Sequence, residues 1–266
     1  MSEKLSTKKH VHRVVETHFI KGFKNKSYNW RMLGLLPVWV IAAYAVSYLI
    51  IVALLEILKL AGMPVSSFLR PSIIQAVVAT LMYTLTIAII VVVPYLLRGR
   101  FSTNLKTLGL DRLMSWTDIG LSPVFYVVYM VTLAIVMVMV ESFFPFLPLD
   151  QVQDIGFTAF GSSTDNIVAF VTLVVFAPVA EEVLFRGYLY GKLKVYVPAV
   201  VAALVTSFLF GVAHLQLNVG IDVFILSLFL CALRSLTGSI WAGILVHMIK
   251  NGVAYFILFV LPFIGG

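Results

Sequence analysis

Three long stretches of this chain contain no charged side chain, and they constrain its fold more than any other feature. They are Leu33–Leu55, Pro71–Leu97 and Ile119–Val140. About 20 apolar residues form a helix long enough to cross the hydrocarbon core of a bilayer, which is roughly 30 Å thick. Because no water is available there, a spanning segment must satisfy its own backbone hydrogen bonds, as a helix does. The three stretches therefore predict membrane-spanning helices.

Four more apolar segments follow in the second half of the chain. They are less uniform than the first three and cover about Asn166–Tyr190, Val195–His214, Val219–Leu236 and Ser239–Pro262. The chain has a mean hydropathy of +1.03 and only 12% charged residues, about half the charged fraction of a soluble domain. We therefore predict an all-α fold, a polytopic transmembrane helical bundle with about seven spans and a range of about six to eight.

Lysine and arginine are distributed unevenly between the predicted spans. Eight lie in residues 1–31, two follow the first span, four follow the second, none occurs in the acidic loop 141–165, and two follow the fourth. Cytoplasmic segments of membrane proteins carry the excess of positive charge. We therefore predict a basic cytosolic tail at residues 1–31, with the N-terminus inside, and a membrane-embedded domain at residues 32–266. The net charge of +7 then reflects topology, so the expected partner is a lipid bilayer and not a nucleic acid.

Two further expectations follow from the segments between and before the spans. The stretch Phe101–Asp118 combines Lys106, Arg112 and Trp116 with acidic residues in an amphipathic arrangement, which predicts a segment lying along the inner membrane surface. The compact size and the lack of a targeting segment favour a multi-pass protein of a bacterial plasma membrane.

The fourth predicted span carries three charged residues in its inner half, Glu181, Glu182 and Arg186. Charged side chains at membrane depth are costly and usually face a bundle interior or a water-filled cavity. Glu182 and Arg186 are four residues apart and share a helix face, whereas Glu181 points about 100° away from Glu182. We therefore expect a Glu182–Arg186 ion pair that leaves Glu181 free. The alternative is that all three charges cap the cytoplasmic end of a membrane helix.

Two histidines, His214 and His247, lie in apolar segments of the second half of the chain. A single membrane histidine is often a hydrogen-bond partner between helices, but two of them and an unpaired glutamate favour a site. His247 and Asn251 are four residues apart, share a helix face, and can both donate hydrogen bonds to an oxyanion. A carboxylate and a histidine facing them can hold a water and take its proton as it attacks a carbonyl.

Three segments resemble the motifs EExxxR, FxxxH and HxxxN of the CPBP intramembrane endopeptidases. That family includes the CAAX prenyl proteases and bacteriocin-processing or self-immunity proteins. The segments are Glu181–Arg186, Phe210–His214 and His247–Asn251. They occur in order, each on its own predicted helix, and no motif position departs from the pattern. The resemblance covers about Asn166–Pro262, the motif-bearing core, and the first three spans match only as generic membrane helices.

The resemblance implies an intramembrane endopeptidase acting on CAAX-type, peptide-precursor or membrane-protein substrates. In that reading Glu181 is the general base for an attacking water, and His214 shares this water. His247 and Asn251 form the oxyanion site. These four residues are the predicted catalytic residues.

The resemblance also assigns supporting roles to three residues. Glu182 and Arg186 are expected to form the supporting pair, and Phe210 is expected to shape the pocket. These roles follow from the positions of the residues within the motifs.

The sequence leaves the question of a metal open. The resemblance implies either a metalloprotease or a glutamate-dependent protease. Glu181, His214 and His247 have permissible ligand types for zinc, and three protein ligands plus water is the usual catalytic count. However, the chain has no HExxH motif, and a metal would leave no base unless Glu182 takes that role. We therefore favour a site without metal or cofactor, with zinc on these three residues as the alternative.

Two other function classes stay open at this stage. A transporter would use the intramembrane charges as a proton or substrate path, but it predicts polar residues along several helices or repeated halves. The first three spans offer little beyond Gln75 and a few hydroxyls. The other class is a non-catalytic membrane regulator or binding protein on the same scaffold.

The predicted helix boundaries create one geometric difficulty. Counted from the cytoplasmic ends at 1.5 Å per residue, Glu181 and His247 lie roughly 12 to 16 Å deep, but His214 lies nearer about 30 Å. The site closes only if the fifth helix starts later than Val195, breaks near Pro198 or is strongly tilted.

Overall fold

The computed structural model describes residues 28–149, 151 and 162–261. Within these residues the chain forms helices and no strand. Residues 1–27 of the predicted basic tail and 152–161 of the acidic loop lie outside the described residues. The helices are α1 (Met32–Leu60), α2 (Pro71–Leu96), α3 (Leu105–Leu108), α4 (Trp116–Phe143), α5 (Ser163–Tyr196), α6 (Ala199–Val212), α7 (Leu217–Thr237) and α8 (Trp241–Val260).

Six of these helices, α1, α2, α4, α5, α7 and α8, are long and apolar enough to cross a membrane. The seventh apolar helix, α6, is shorter. Large apolar side chains remain exposed along the outer helices, including Val38 on α1 and Val138 on α4, as expected for surfaces that face lipid. The predicted all-α, multi-pass helical bundle is therefore confirmed, and its orientation in the membrane stays a prediction.

The turn between α5 and α6 corrects the predicted boundaries. α5 continues to Tyr196 instead of ending near Tyr190, and α6 begins at Ala199 instead of Val195. Pro198 lacks a backbone N–H and restricts the residue before it, so the two helices are separated there. Glu181 precedes Tyr196 by fifteen residues, and His214 follows Ala199 by fifteen. The two residues are therefore equally far from this turn along the chain, and the difficulty over the depth of His214 disappears.

The stretch Phe101–Asp118 leads from α2 into α4, and between these two helices it is mostly irregular. Its helical part is a single turn, α3, capped by Asn104, whose side chain accepts a hydrogen bond from Thr107 N at 2.8 Å. The turn packs tightly on α5, because a Cβ at Gly191 would lie 2.5 Å from Thr107 O. Arg234 of α7 also donates to Thr107 O at 3.0 Å. These contacts tie the stretch to neighbouring helices, while Leu105, Leu113 and Trp116 stay exposed, so its position along the inner membrane surface stays a prediction.

The residues before α4 add further contacts at this end of the bundle. Asp118 and Ser115 form a reciprocal cap at the start of α4, which satisfies backbone N–H groups of the first turn. Arg112 donates to both carboxylate oxygens of Asp118, at 2.5 and 2.8 Å. The Trp241 indole of α8 donates to Arg112 O at 2.9 Å. The ends of α4 and α8 are thereby tied together next to the motif-bearing helices.

Candidate active site

The expected ion pair between Glu182 and Arg186 is present on α5. Arg186 Nη1 donates to Glu182 Oε1 at 2.7 Å, and both side chains are completely buried. The guanidinium lies over the ring of Phe210, with Cζ 4.3 Å from the ring centroid, an arrangement that favours a cation. α5 continues to Tyr196, so these charges do not cap the end of a helix.

His247 of α8 extends this buried pair. Its Nδ1 lies 3.1 Å from Glu182 Oε1, and because a carboxylate oxygen only accepts, Nδ1 is the donor. Gly243 lies one turn earlier on the same helix, where a Cβ would come within 2.9 Å of Glu182 Oε2. The absence of a side chain at Gly243 therefore admits the Glu182 carboxylate against α8 and places His247 next to it.

This close approach gives a prediction for Gly243. We expect Gly243→Ala to displace the Glu182 carboxylate and with it His247. The peptide cleavage that the motif resemblance implies should then fall by about 10-fold or more, because misplacing a catalytic group by about 1 Å can cost 10²-fold. The matched control is Gly252→Ala on the same helix, where the added Cβ meets Val174 Cγ1 at an ordinary 3.6 Å. Alanine is the better helix former, so the control should be as stable as the wild type and as active. Equal activity of the two variants in a peptide-cleavage assay would contradict this role of Gly243.

Glu181 faces away from Glu182 and toward α2. The sequence predicted that this side chain would be free, but in the structure it has a hydrogen-bond partner. The Tyr83 hydroxyl of α2 donates to Glu181 Oε1. The other oxygen, Oε2, lies 3.6 Å from His247 Nε2. The Glu181 side chain is 12% exposed, in contrast to the fully buried Glu182. His247 therefore stands between the two carboxylates, with one ring nitrogen directed to each.

Phe210 and His214 lie one turn apart at the end of α6. His214 Nδ1 lies 2.8 Å from Phe210 O, and since a carbonyl oxygen only accepts, Nδ1 is the donor and Nε2 can accept. The Phe210 ring meets the rings of both histidines edge-on, with centroids 5.0 Å from His214 and 5.9 Å from His247. Phe210 thus contacts all three motif segments from a completely buried position.

Asn251 lies one turn beyond His247, where its amide nitrogen donates to Leu173 O at 2.9 Å. The stretch Val171–Phe176 of α5 has π-helical geometry, in which a carbonyl accepts from the residue five positions later. For Leu173 that residue is Pro178, which has no N–H to donate. Asn251 supplies the missing donor, so one of its two amide hydrogens is already used.

The four predicted catalytic residues line one cavity of about 460 Å³ between α2, α5 and α8, which also contains Tyr83. These four are Glu181, His214, His247 and Asn251. A second cavity of about 610 Å³ extends between α1 and α6 and shares Tyr83, Glu181 and His214 with the first. The fold therefore brings the motif residues together inside an apolar bundle, and their individual roles stay predictions.

A further charged group reaches the first cavity beside Asn251. Lys250 Nζ lies 3.3 Å from Asp222 Oδ2 of α7, and the Tyr129 hydroxyl of α4 donates to the other oxygen of Asp222. These contacts link α4, α7 and α8 at the edge of the cavity and give both charges a partner.

Glu181, His214 and His247 are the residues that the zinc alternative would use. Two imidazoles and one carboxylate are suitable donors for zinc. Among the described residues, however, no three His, Cys, Asp or Glu side chains are placed so that they could hold a metal ion. Whether the reaction uses a metal therefore stays a prediction.

Residues 163–253 match the family model described as Type II CAAX prenyl endopeptidase Rce1-like. The chain carries an Rce1-like domain. This domain begins with α5, ends within α8 and contains every motif residue, which confirms the family resemblance. Searches of curated proteins and of solved structures found no match. The family supports an intramembrane protease, and together with the six apolar helices it makes this a multi-pass membrane protein.

The sequence alone did not identify two residues of the site, Tyr83 and Gly243. Tyr83 precedes the Rce1-like domain and is one of several tyrosines in the apolar helices, so nothing in its local sequence distinguishes it. Gly243 carried a usable signal, because it lies four residues before His247 and therefore on the same helix face. A glycine at that position is consistent with close approach of another group.

Proposed function

We propose that this protein is an intramembrane endopeptidase in which Glu181 and His214 activate a water that hydrolyses a peptide bond. The observation that carries the proposal is the shared cavity of Glu181, His214, His247 and Asn251 beside a fully buried ion pair. The proposed substrates are CAAX-type peptides, peptide precursors or membrane proteins. The proposed location is the plasma membrane of a bacterium, with the N-terminus in the cytosol.

The first step is the attack of water on the scissile carbonyl carbon. His214 Nε2 can accept a hydrogen bond, because Nδ1 is the protonated nitrogen. Glu181 Oε2 lies in the same cavity, on the side that faces His247 Nε2. A water held by these two groups loses a proton to Glu181 as its oxygen forms the new bond to carbon. The C=O electron pair moves onto oxygen and produces a tetrahedral oxyanion.

Hydrogen-bond donors on α8 then stabilise the oxyanion. Asn251 has one amide hydrogen left after its bond to Leu173 O. His247 donates from Nδ1 to Glu182, and it donates from Nε2 when it carries a second proton. Donors placed in advance in a site of low polarity are among the strongest contributors to catalysis.

The last step releases the two products. The C–N bond breaks, and the proton held by Glu181 passes to the leaving amine. Glu181 returns to its ionised form, and the new carboxylic acid and the new amine then become a carboxylate and an ammonium group by transfer of the second water proton. The apolar bundle limits access of bulk water, so water must enter through the cavity.

The proposal is tested with purified protein reconstituted in lipid vesicles. The probe is a farnesylated peptide ending in a CAAX sequence, and mass spectrometry of the products locates the cleaved bond. We expect cleavage that produces a new C-terminus within the peptide. If neither this probe nor a panel of hydrophobic peptides is cleaved, the non-catalytic alternative is favoured.

We also propose that the reaction requires no metal. The expected result is that cleavage by the reconstituted protein is unchanged, within about 2-fold, after dialysis against a chelator, since the acid-base groups come from side chains. The control is a zinc protease of known chelator sensitivity treated in the same vesicles. Loss of cleavage that zinc restores would contradict the metal-free mechanism.

A further inference from the structure

Tyr83 makes the polar contact between α2 and the motif residues, although it lies outside the Rce1-like domain. Its hydroxyl donates to Glu181 Oε1. This bond occupies one carboxylate oxygen and leaves Oε2 on the side of His247 Nε2, at 3.6 Å. The two oxygens of Glu181 therefore have different neighbours.

α2 is held in place at two levels. At its outer end, Ser72 donates to Asp165 Oδ1 of α5 at 2.5 Å, and Arg70 Nη1 lies 3.3 Å from the other oxygen of Asp165. One turn beyond Tyr83, the completely buried Thr86 donates to Ser47 of α1 at 3.1 Å. These contacts fix the helix that carries Tyr83 against both α1 and α5.

The Tyr83 ring is also fixed by its surroundings. It packs against Phe176 of α5, with ring centroids 6.4 Å apart. Tyr83 lines the cavity that contains His247 and Asn251 as well as the cavity between α1 and α6. It therefore stands where the two cavities meet, directly at Glu181.

A glutamate that projects into a cavity is not fixed by its own torsions, because rotation about the bond to its carboxylate is soft. We propose that Tyr83 is a positioning residue that holds Glu181 in the orientation needed to activate water. The inference rests on the proposed function and extends it to a residue outside the motifs. Tyr83 acts through Glu181 and takes no proton in the reaction.

The test is Tyr83→Phe, which removes the hydroxyl and keeps the ring against Phe176. We expect kcat for the farnesylated peptide to fall about 10- to 100-fold, because a misplaced catalytic group costs up to about 10²-fold. KM should stay within about 3-fold and the melting temperature should be unchanged, because the lost interaction serves the chemical step. The matched control is Tyr95→Phe, which removes a hydroxyl from an exposed position of the same helix and should leave kcat unaltered.

A second variant keeps the test sharp if the first folds poorly. Tyr83→His restores an N–H donor near Glu181, and we expect its kcat to exceed that of Tyr83→Phe. If Tyr83→Phe does not fold, the comparison variant is Tyr83→Leu. A kcat of Tyr83→Phe equal to the wild type would overturn the inference, and so would a Tyr83→His variant no better than its comparison variant. If the wild type cleaves no peptide, the proposed function itself fails. If Glu181→Gln is inactive and Tyr83→Phe is fully active, only the positioning role fails.

Discussion

Replacing Glu181 by glutamine is expected to lower kcat/KM for peptide cleavage by about 10³-fold or more, since general-base catalysis contributes about 10²- to 10⁴-fold. The amide keeps the shape of the carboxylate and can still accept the hydrogen bond of Tyr83, but it cannot take a proton from water. The melting temperature should change little, because Glu181 is the partly exposed member of the two glutamates. Initial rates with the purified variant provide the measurement.

The matched control for this substitution is Glu56→Gln. Glu56 is also a glutamate on an apolar helix, but its side chain is 58% exposed and pairs with Lys59 at the end of α1. This control should cleave at the wild-type rate. An active Glu181→Gln variant would remove the general base from the mechanism and would favour a binding or regulatory function on the same scaffold.

The second large effect concerns the buried pair. Arg186→Leu leaves the Glu182 carboxylate without its cation in a completely buried position, and such a loss typically costs about 3–5 kcal/mol of unfolding free energy. Replacing both residues, in the double variant Glu182→Leu with Arg186→Leu, removes the unpaired charge. We therefore expect the double variant to recover most of the stability, measured by reversible unfolding in mixed micelles.

Activity should not return with stability in this double variant. His247 Nδ1 loses its acceptor when Glu182 is replaced, and the protonation and orientation of a histidine depend on that second hydrogen bond. A double variant that is both stable and active would show that the pair serves folding alone. A double variant less stable than Arg186→Leu would show that the leucines do not fit the site.

Much of the fold follows from the length of the uncharged runs. The runs Leu33–Leu55 and Pro71–Leu97 became α1 and α2 with ends shifted by only a few residues, because the bilayer sets a minimum apolar length. The turn between α5 and α6 was placed wrongly because Lys192 and Lys194 resemble the flank of a span. In the structure α5 continues through them, and Pro198 decides the boundary instead.

Helical periodicity predicted only those contacts of the site that join residues of the same helix. A spacing of four placed Glu182 with Arg186 and His247 with Asn251, because such residues share a helix face. Contacts between segments that are distant in the sequence produce no regular spacing of this kind. The bond of Tyr83 to Glu181 joins α2 to α5, and the bond of Asn251 to Leu173 depends on a π-helical stretch. Both arise from packing, which a single sequence does not specify.

The central claim is that peptide hydrolysis takes place in the cavity shared by Glu181, His214, His247 and Asn251. A structure of the Glu181→Gln variant with an uncleaved farnesylated peptide tests it most directly. The scissile carbonyl is predicted to lie in this cavity, one water molecule away from residue 181 and with its oxygen directed to His247 and Asn251. A peptide bound with its scissile bond outside the cavity, or on the lipid-facing surface, would contradict the account.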